Sequence, residues 1–244
     1  MEPVTDITVD MDQEEVAYIF DKYHLISAPV VDAGGRLVGQ ITVDDIVGVI
    51  QEESEEDILA LAGVSDAGRD AGVWDVAKSR LPWLVVNTLT AATAASVIGA
   101  FQGEIAKVLT LAILMPVVAS LGGNAGTQTL AVAVRALASR ELNASNAVRI
   151  ILREMAVGLV NGAVLATIMA AATYAFFRDP LLCLTIALAL IINLFVASLA
   201  GILVPLALDK LERDPAVSSS VFVTFTTDFM GFLSFLGLAA LILL

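Results

Sequence analysis

Residues 181–208, LLCLTIALALIINLFVASLAGILVPLAL, run 28 positions without a charged side chain. A helix needs about 20 apolar residues to cross the hydrocarbon core of a bilayer, so this segment is long enough to span. Working outward, four further hydrophobic blocks occupy residues 81–101, 105–137, 147–177 and 217–244. The second is interrupted by Pro116, Gly122 and Gly123, which predicts a kinked or broken helix. The expected fold class is a mainly α membrane protein with five transmembrane helices, multi-pass in a lipid bilayer.

The rest of the chain is different. Residues 1–75 hold 18 Asp and Glu against 3 Lys and Arg, and residues 76–244 hold 8 against 10. The net charge of −13 therefore belongs to an acidic head, which suits cations and argues against nucleic acid as a partner. The chain is 58% hydrophobic and only 16% charged, where a soluble domain has about a quarter charged. Cys183, alone in an apolar run, is a packing residue, and His24, the single histidine, has no metal-ligand spacing. The N-terminus is polar and acidic, unlike a secretory signal, so the head is expected to stay in the cytosol.

Residues 4–50 have the pattern of a small α/β module. Asp12 with Glu15 forms a carboxylate capping box for a helix carrying Val16, Ile19, Phe20 and Tyr23 on one face. A strand pair follows around Asp32-Ala33-Gly34-Gly35, and Thr42 can cap a second helix, 43–50. Then Glu52, Glu53, Glu55, Glu56 and Asp57 open an acidic connecting helix, and Gly63, Gly68 and Gly72 loosen the chain before the membrane. The expected domains are a cytosolic module at 1–51, a connecting helix and linker at 52–78, and the pore domain at 79–244. Crowded carboxylates here (Glu14, Asp44, Asp45 and the 52–57 run) repel one another, and bound Mg²⁺ would relieve that repulsion; for any single residue, a solvated surface is the plainer reading.

Basic residues set the orientation. Lys78, Arg80, Arg135, Arg140, Arg149, Arg153, Lys210 and Arg213 fall on one side, and Lys107 and Arg178 on the other. The head is then inside and the C-terminus outside.

Asp228 is the one ionisable residue deep within a block. A carboxylate at that depth usually faces a wet cavity or a partner. Ser220, Thr224, Thr227, Asp228 and Gly231 recur at three- and four-residue spacing and are expected to share one polar face. The plainer alternative is a protonated clasp between helices. The second constellation is Met115-Pro116-Val117-Val118-Ala119-Ser120-Leu121-Gly122-Gly123-Asn124-Ala125-Gly126-Thr127-Gln128. Asn124, Thr127 and Gln128 offer amide and hydroxyl oxygens, which beside a carboxylate suit a hard, hydrated cation. Small residues there also suit tight helix packing. Paired with Asp228, a cation pore is the stronger reading, with Mg²⁺ the ion and two copies of Asp228 facing each other in a homodimer.

Pro116, the Gly122-to-Gln128 stretch and Asp228-Phe229-Met230-Gly231, in the order module, acidic helix, five spans, resemble the MgtE family of Mg²⁺ channels. The resemblance implies a non-enzymatic, homodimeric channel in the cell inner (plasma) membrane, and the membrane potential, about 4.6 kcal/mol per divalent ion per 100 mV, is expected to drive uptake. It implies a pore lined by the second and fifth spans, with Asp228, Asn124 and Gly123 at the transported Mg²⁺. It also implies regulatory Mg²⁺ at Glu14, Asp45, Glu53, Glu56, Asp57 and Asp214. Gly39-Gln40-Ile41-Thr42-Val43-Asp44-Asp45 looks like the signature of nucleotide-binding CBS domains, which implies ATP at Thr42 and Asp45. Against the family's usual N-domain and two CBS repeats, the chain is expected to be either a form shortened at the N-terminus or a fragment of a longer protein. Ser218-Ser219-Ser220-Val221 departs from relatives with an asparagine and a proline at that mouth.

Alternatives are a Co²⁺ or Mn²⁺ transporter, a membrane-anchored CBS sensor without transport, and an intramembrane aspartyl hydrolase. The last needs two opposed aspartates, where the chain offers one deep carboxylate.

Overall fold

The computed structural model describes residues 7–62, 64, 71–139, 141–142, 146–211, 214–216 and 219–244. Gly63, Gly68, Arg140, Arg213 and Ser218 lie outside the described residues. The chain divides into two compact units, Met1–Leu59 and Ala60–Leu244.

The first unit is the α/β module. Strand β1 (Ile7–Thr8) leads to α1 (Gln13–Tyr23), then β2 (Ser27–Val31), β3 (Leu37–Thr42) and α2 (Val43–Leu61), whose last two residues belong to the second unit. The sheet order is β1-β2-β3, with β1 parallel and β3 antiparallel to β2. Asp12 caps α1 by accepting from the Glu14 N–H at 2.9 Å. Val16, Ile19 and Phe20 are buried as the periodicity requires, but Tyr23 is 40% exposed. It ends the helix, and His24 turns the chain away in the left-handed region at φ 51°. The turn after β2 is held by Asp32 Oδ1, which accepts from the Gly34 and Arg36 N–H groups, and Gly35 takes φ 72°. Ile7, Val16, Phe20, Ala28 and Ile46 form the module's core. The acidic run 52–57 is the second half of α2, continuous with the helix that starts at Val43.

The second unit supplies the five spans: α3 (Val73–Ala100), α5 (Thr110–Ala138), α6 (Ala147–Phe177), α7 (Pro180–Lys210) and α8 (Ser219–Ile242). A short α4 (Gln102–Lys107) joins α3 to α5. Of the kinked or broken helix expected in the second block, a break does not occur at Pro116 or the glycines. Helix α5 runs unbroken through all three, and the interruption lies earlier, at Val108 and Leu109. Pro116 removes one N–H from the helical ladder and its ring crowds the carbonyl one turn earlier, and the helix continues past both. Neither Gly122 nor Gly123 takes a positive φ.

Helix α7 is the hub, packed against α5, α6 and α8. In its most apolar window 56% is buried, against 11% in α3. Asp179 starts it, accepting from the Leu181 and Leu182 N–H groups at 2.9 and 3.2 Å, with Pro180 in the first turn. Small residues let its neighbours close in. A Cβ on Gly158 of α6 would lie 2.4 Å from Ser198 Oγ, and one on Gly201 of α7 only 2.7 Å from the Gly126 carbonyl oxygen. Such approach is how apolar helices gain dispersion where lipid offers no hydrophobic driving force.

Candidate cation site in the membrane helices

Helices α5 and α8 carry the expected site, and glycine contacts fix how they lie together. A Cβ on Gly126 would sit 2.6 Å from Val223 Cγ1 and 3.3 Å from Thr227 Cγ2. One turn earlier, Gly122 lies against Asn193 of α7, and Gly231 of α8 lies against the same amide. Rising from 122 to 126 on α5 therefore corresponds to falling from 231 to 227 and 223 on α8, so the two run antiparallel. Asp228 comes level with the turn 122–126, which contains Asn124.

The faces are sorted less simply than the spacing implied. Thr227 and Gly231 are buried against α5 and α7, whereas Ser220, Thr224 and Asp228 are half-buried. The expected polar face is one arc of about 100°, buried at its Thr227 edge and partly open at its Asp228 edge. Each residue turns the helix by about 100°, so Asp228 cannot follow Thr227 into the packed seam. The Thr227 hydroxyl donates to the Thr224 carbonyl at 2.9 Å, which satisfies it locally. Asn124, Thr127 and Gln128 are all exposed on the protomer, as one helical face requires. Thr127 Oγ1 donates to the Gly123 carbonyl at 2.8 Å, leaving its own lone pairs free. Among the described residues, neither the Asp228 carboxylate nor the Asn124 amide has a hydrogen-bond partner. Two strong ligand groups thus stand at one level without protein partners.

Asn193 was not singled out from the sequence. It is fully buried and donates from Nδ2 to the Val118 carbonyl at 2.8 Å. An amide in an otherwise charge-free 28-residue block was the available signal.

In the module, α1 and the second half of α2 bring carboxylates together. Burial, then the charges of Glu53, Asp12 and Asp57, push the Glu14 carboxyl up to about 7. Gln13 Nε2 donates to Glu53 Oε1, tying the same two helices. Glu14, Glu53 and Asp57 are therefore neighbours, while no cluster of three or more His, Cys, Asp or Glu in metal-ligand arrangement occurs among the described residues. Asp45 is engaged differently. Its Oδ2 accepts from the Thr42 N–H at 2.9 Å and the Thr42 hydroxyl at 2.8 Å, and these bonds hold its carboxyl below the usual range. That is the reciprocal half of a capping box for α2. Asp214, exposed in the second unit, accepts from the Ala216 N–H at 2.8 Å.

A family model described as a divalent cation transporter matches residues 115–238, and a CBS domain model matches residues 1–52. The magnesium transporter MgtE of Thermus thermophilus is 37% identical over 247 aligned positions, covering 98% of this chain and 54% of the relative. That of Enterococcus faecalis is 36% identical, covering 98% and 53%. That of Bacillus subtilis is 35% identical, covering 93% and 51%. The chain spans about half the length of the curated relatives it matches. Because the match runs through the helices bearing Asn124 and Asp228, and these relatives align with nearly all of the chain, the chain belongs to the MgtE family of divalent cation transporters.

Proposed function

We propose that this chain conducts Mg²⁺ across the inner (plasma) membrane as a homodimer, with the head in the cytosol. The observation that carries the reading is the Asp228 carboxylate, without a hydrogen-bond partner among the described residues, half-buried mid-span and level with Asn124. A lone buried charge is costly unless it meets water or a counter-ion. A symmetric pair of such groups suits a hydrated divalent ion, since Mg²⁺ sheds its water reluctantly and is held through few carboxylates. The exposed amide of Asn124 and the backbone at Gly123 supply further oxygens for that water shell. The relatives' names, all magnesium transporters, support the choice of ion. The membrane potential supplies about 4.6 kcal/mol per divalent ion per 100 mV, which drives uptake without a nucleotide.

Regulation is proposed for the acidic head. Glu14 resists losing its proton beside Glu53, Asp12 and Asp57. A divalent cation there would offset their repulsion and compact the module when cytosolic Mg²⁺ is plentiful. Asp45, Glu56 and Asp214 are the further regulatory positions, and Thr42 with Asp45 is the place for ATP. Binding of ATP there has to displace the mutual hydrogen bonds of those two residues.

The test is Mg²⁺ flux into vesicles reconstituted with the full chain, wild type against Asp228→Ala, at several Mg²⁺ concentrations on the cytosolic side. Flux abolished in the variant supports the pore; flux retained there points to a path that does not use Asp228, and wild-type flux no greater than that of empty vesicles favours a membrane-anchored sensor. Faster flux of Co²⁺ or Mn²⁺ than of Mg²⁺ selects the related-transporter reading instead.

A further inference from the structure

Asn193 sits where α5, α7 and α8 meet. Its side chain is fully buried, and a Cβ placed on Gly122 would lie 2.2 Å from Nδ2, one on Gly231 2.8 Å from the same atom. The amide thus fills a slot that exists only because both facing residues are glycine. Nδ2 donates to the Val118 carbonyl of α5 at 2.8 Å, while Oδ1 is buried without a partner among the described residues. A leucine would fill similar volume without leaving a polar atom unsatisfied. Burying half of an amide is therefore a poor way to gain stability. The best-attested use of a lone buried amide is to fix the register of packed helices.

We infer that Asn193 is a positioning residue for the cation site: by bonding to α5 and wedging between Gly122 and Gly231, it sets the axial level of α5 against α8. This inference rests on the pore reading above. Gly122 is two residues from Asn124, and Gly231 is three residues from Asp228. A slip of one residue moves a helix by about 1.5 Å, whereas binding constellations tolerate about 0.5 Å. The contacts of α7 therefore reach the ion without α7 supplying a ligand.

The experiment compares Mg²⁺ flux, as apparent half-saturation and maximal rate separately, with Co²⁺ flux as a selectivity readout. The vesicles carry wild type, Asn193→Leu, Asn193→Ser, Gly122→Ala, or Gly122→Ala with Asn193→Ser. Asn193→Leu and Gly122→Ala should each raise half-saturation roughly three- to twentyfold, the span of one interhelical hydrogen bond, and shift the Co²⁺-to-Mg²⁺ ratio. Asn193→Ser should raise half-saturation too, because the amide's hydrogen bond to Val118 is lost, and the double variant, in which the smaller serine makes room for the new methyl, should recover from the Gly122→Ala value to that of Asn193→Ser. Size-exclusion in detergent reports folding, and Asn193→Ser keeps the test open if Asn193→Leu misfolds. Folded variants with unchanged half-saturation and ion ratio would overturn the inference. So would failure of the double variant to recover, or loss of fold in all Asn193 variants, which would make the residue one for folding alone. Wild type and Asp228→Ala run alongside: if wild type is inactive or Asp228→Ala conducts, it is the pore reading that has failed.

Discussion

Gly201→Ala examines the closest approach of backbone to a glycine among the described residues of the membrane unit. The new Cβ would meet the Gly126 carbonyl oxygen at 2.7 Å, Thr129 Cβ at 2.8 Å and the Leu130 nitrogen at 3.1 Å. Two of those three atoms are backbone, so no side chain can swing aside. Ordinary contact begins near 3.4 Å, so α5 and α7 must part by about 0.7 Å, the difference between 3.4 and 2.7. A gap of 0.5–1 Å forfeits roughly a quarter to a half of each dispersion well along the seam. Overpacking a tight site costs about 1–3 kcal/mol, and rigid neighbours put this one near about 3. Gly237→Ala is the control, because it too lies inside a helix, α8, and nothing lies within 4 Å of its Cβ. Both changes share the helix-propensity gain of roughly 0.5–1 kcal/mol, so it cancels in the comparison. For a chain of this size, the Gly201 variant should melt roughly 6–12 °C below the Gly237 variant. Thermal unfolding in detergent, followed by circular dichroism, measures this. Equal midpoints would refute the claim that the α5–α7 seam is closed by backbone contact.

Further outcomes follow from the same structure. Glu14 has a folded pKa of about 7, above its ordinary 4.5, so its ionisation costs stability as pH rises through that window and the cost is complete above it. Glu14→Gln should therefore stabilise the module's melting transition in the full chain at pH 8, by on the order of 1 kcal/mol after solvent screening, and leave it unchanged at pH 4. Adding Mg²⁺ at pH 8 should stabilise wild type more than this variant, read in the same melt. Asp179→Ala removes the acceptor for the Leu181 and Leu182 N–H groups, and should cost about 1 kcal/mol, while Asp179→Asn should be nearly neutral.

Much of this architecture was legible because apolar block length and charge placement are properties of the chain alone. The five spans came from block length, and the module's strand pair came from the Asp32–Gly35 turn. Helix continuity through Pro116 was not legible: the proline loses one hydrogen bond, and only packing against α7 and α8 decides whether the helix survives. Asp228 and Asn124 stood out as polar groups at membrane depth, and their common level required the glycine contacts of Gly122, Gly126 and Gly231. The division of Thr227 from Asp228 depended on which face α5 and α7 cover, which periodicity cannot say. Asn193 was missed for a related reason. Its importance lies in two glycines on other helices, and no local pattern links residues 122, 193 and 231. In the head, the carboxylates of α1 and α2 could be counted, but the closeness of Glu14 to Glu53 follows from the α/β packing.

The most direct measurement is the position of a bound divalent ion in crystals of the full chain grown with Mn²⁺ as a stand-in for Mg²⁺. Anomalous scattering should place a peak on the dimer axis between two Asp228 carboxylates, separated from them by a water shell and at the level of Asn124. A dimer in which Asp228 faces lipid, or holds no metal while Mn²⁺ binds elsewhere in the membrane helices, would contradict the account.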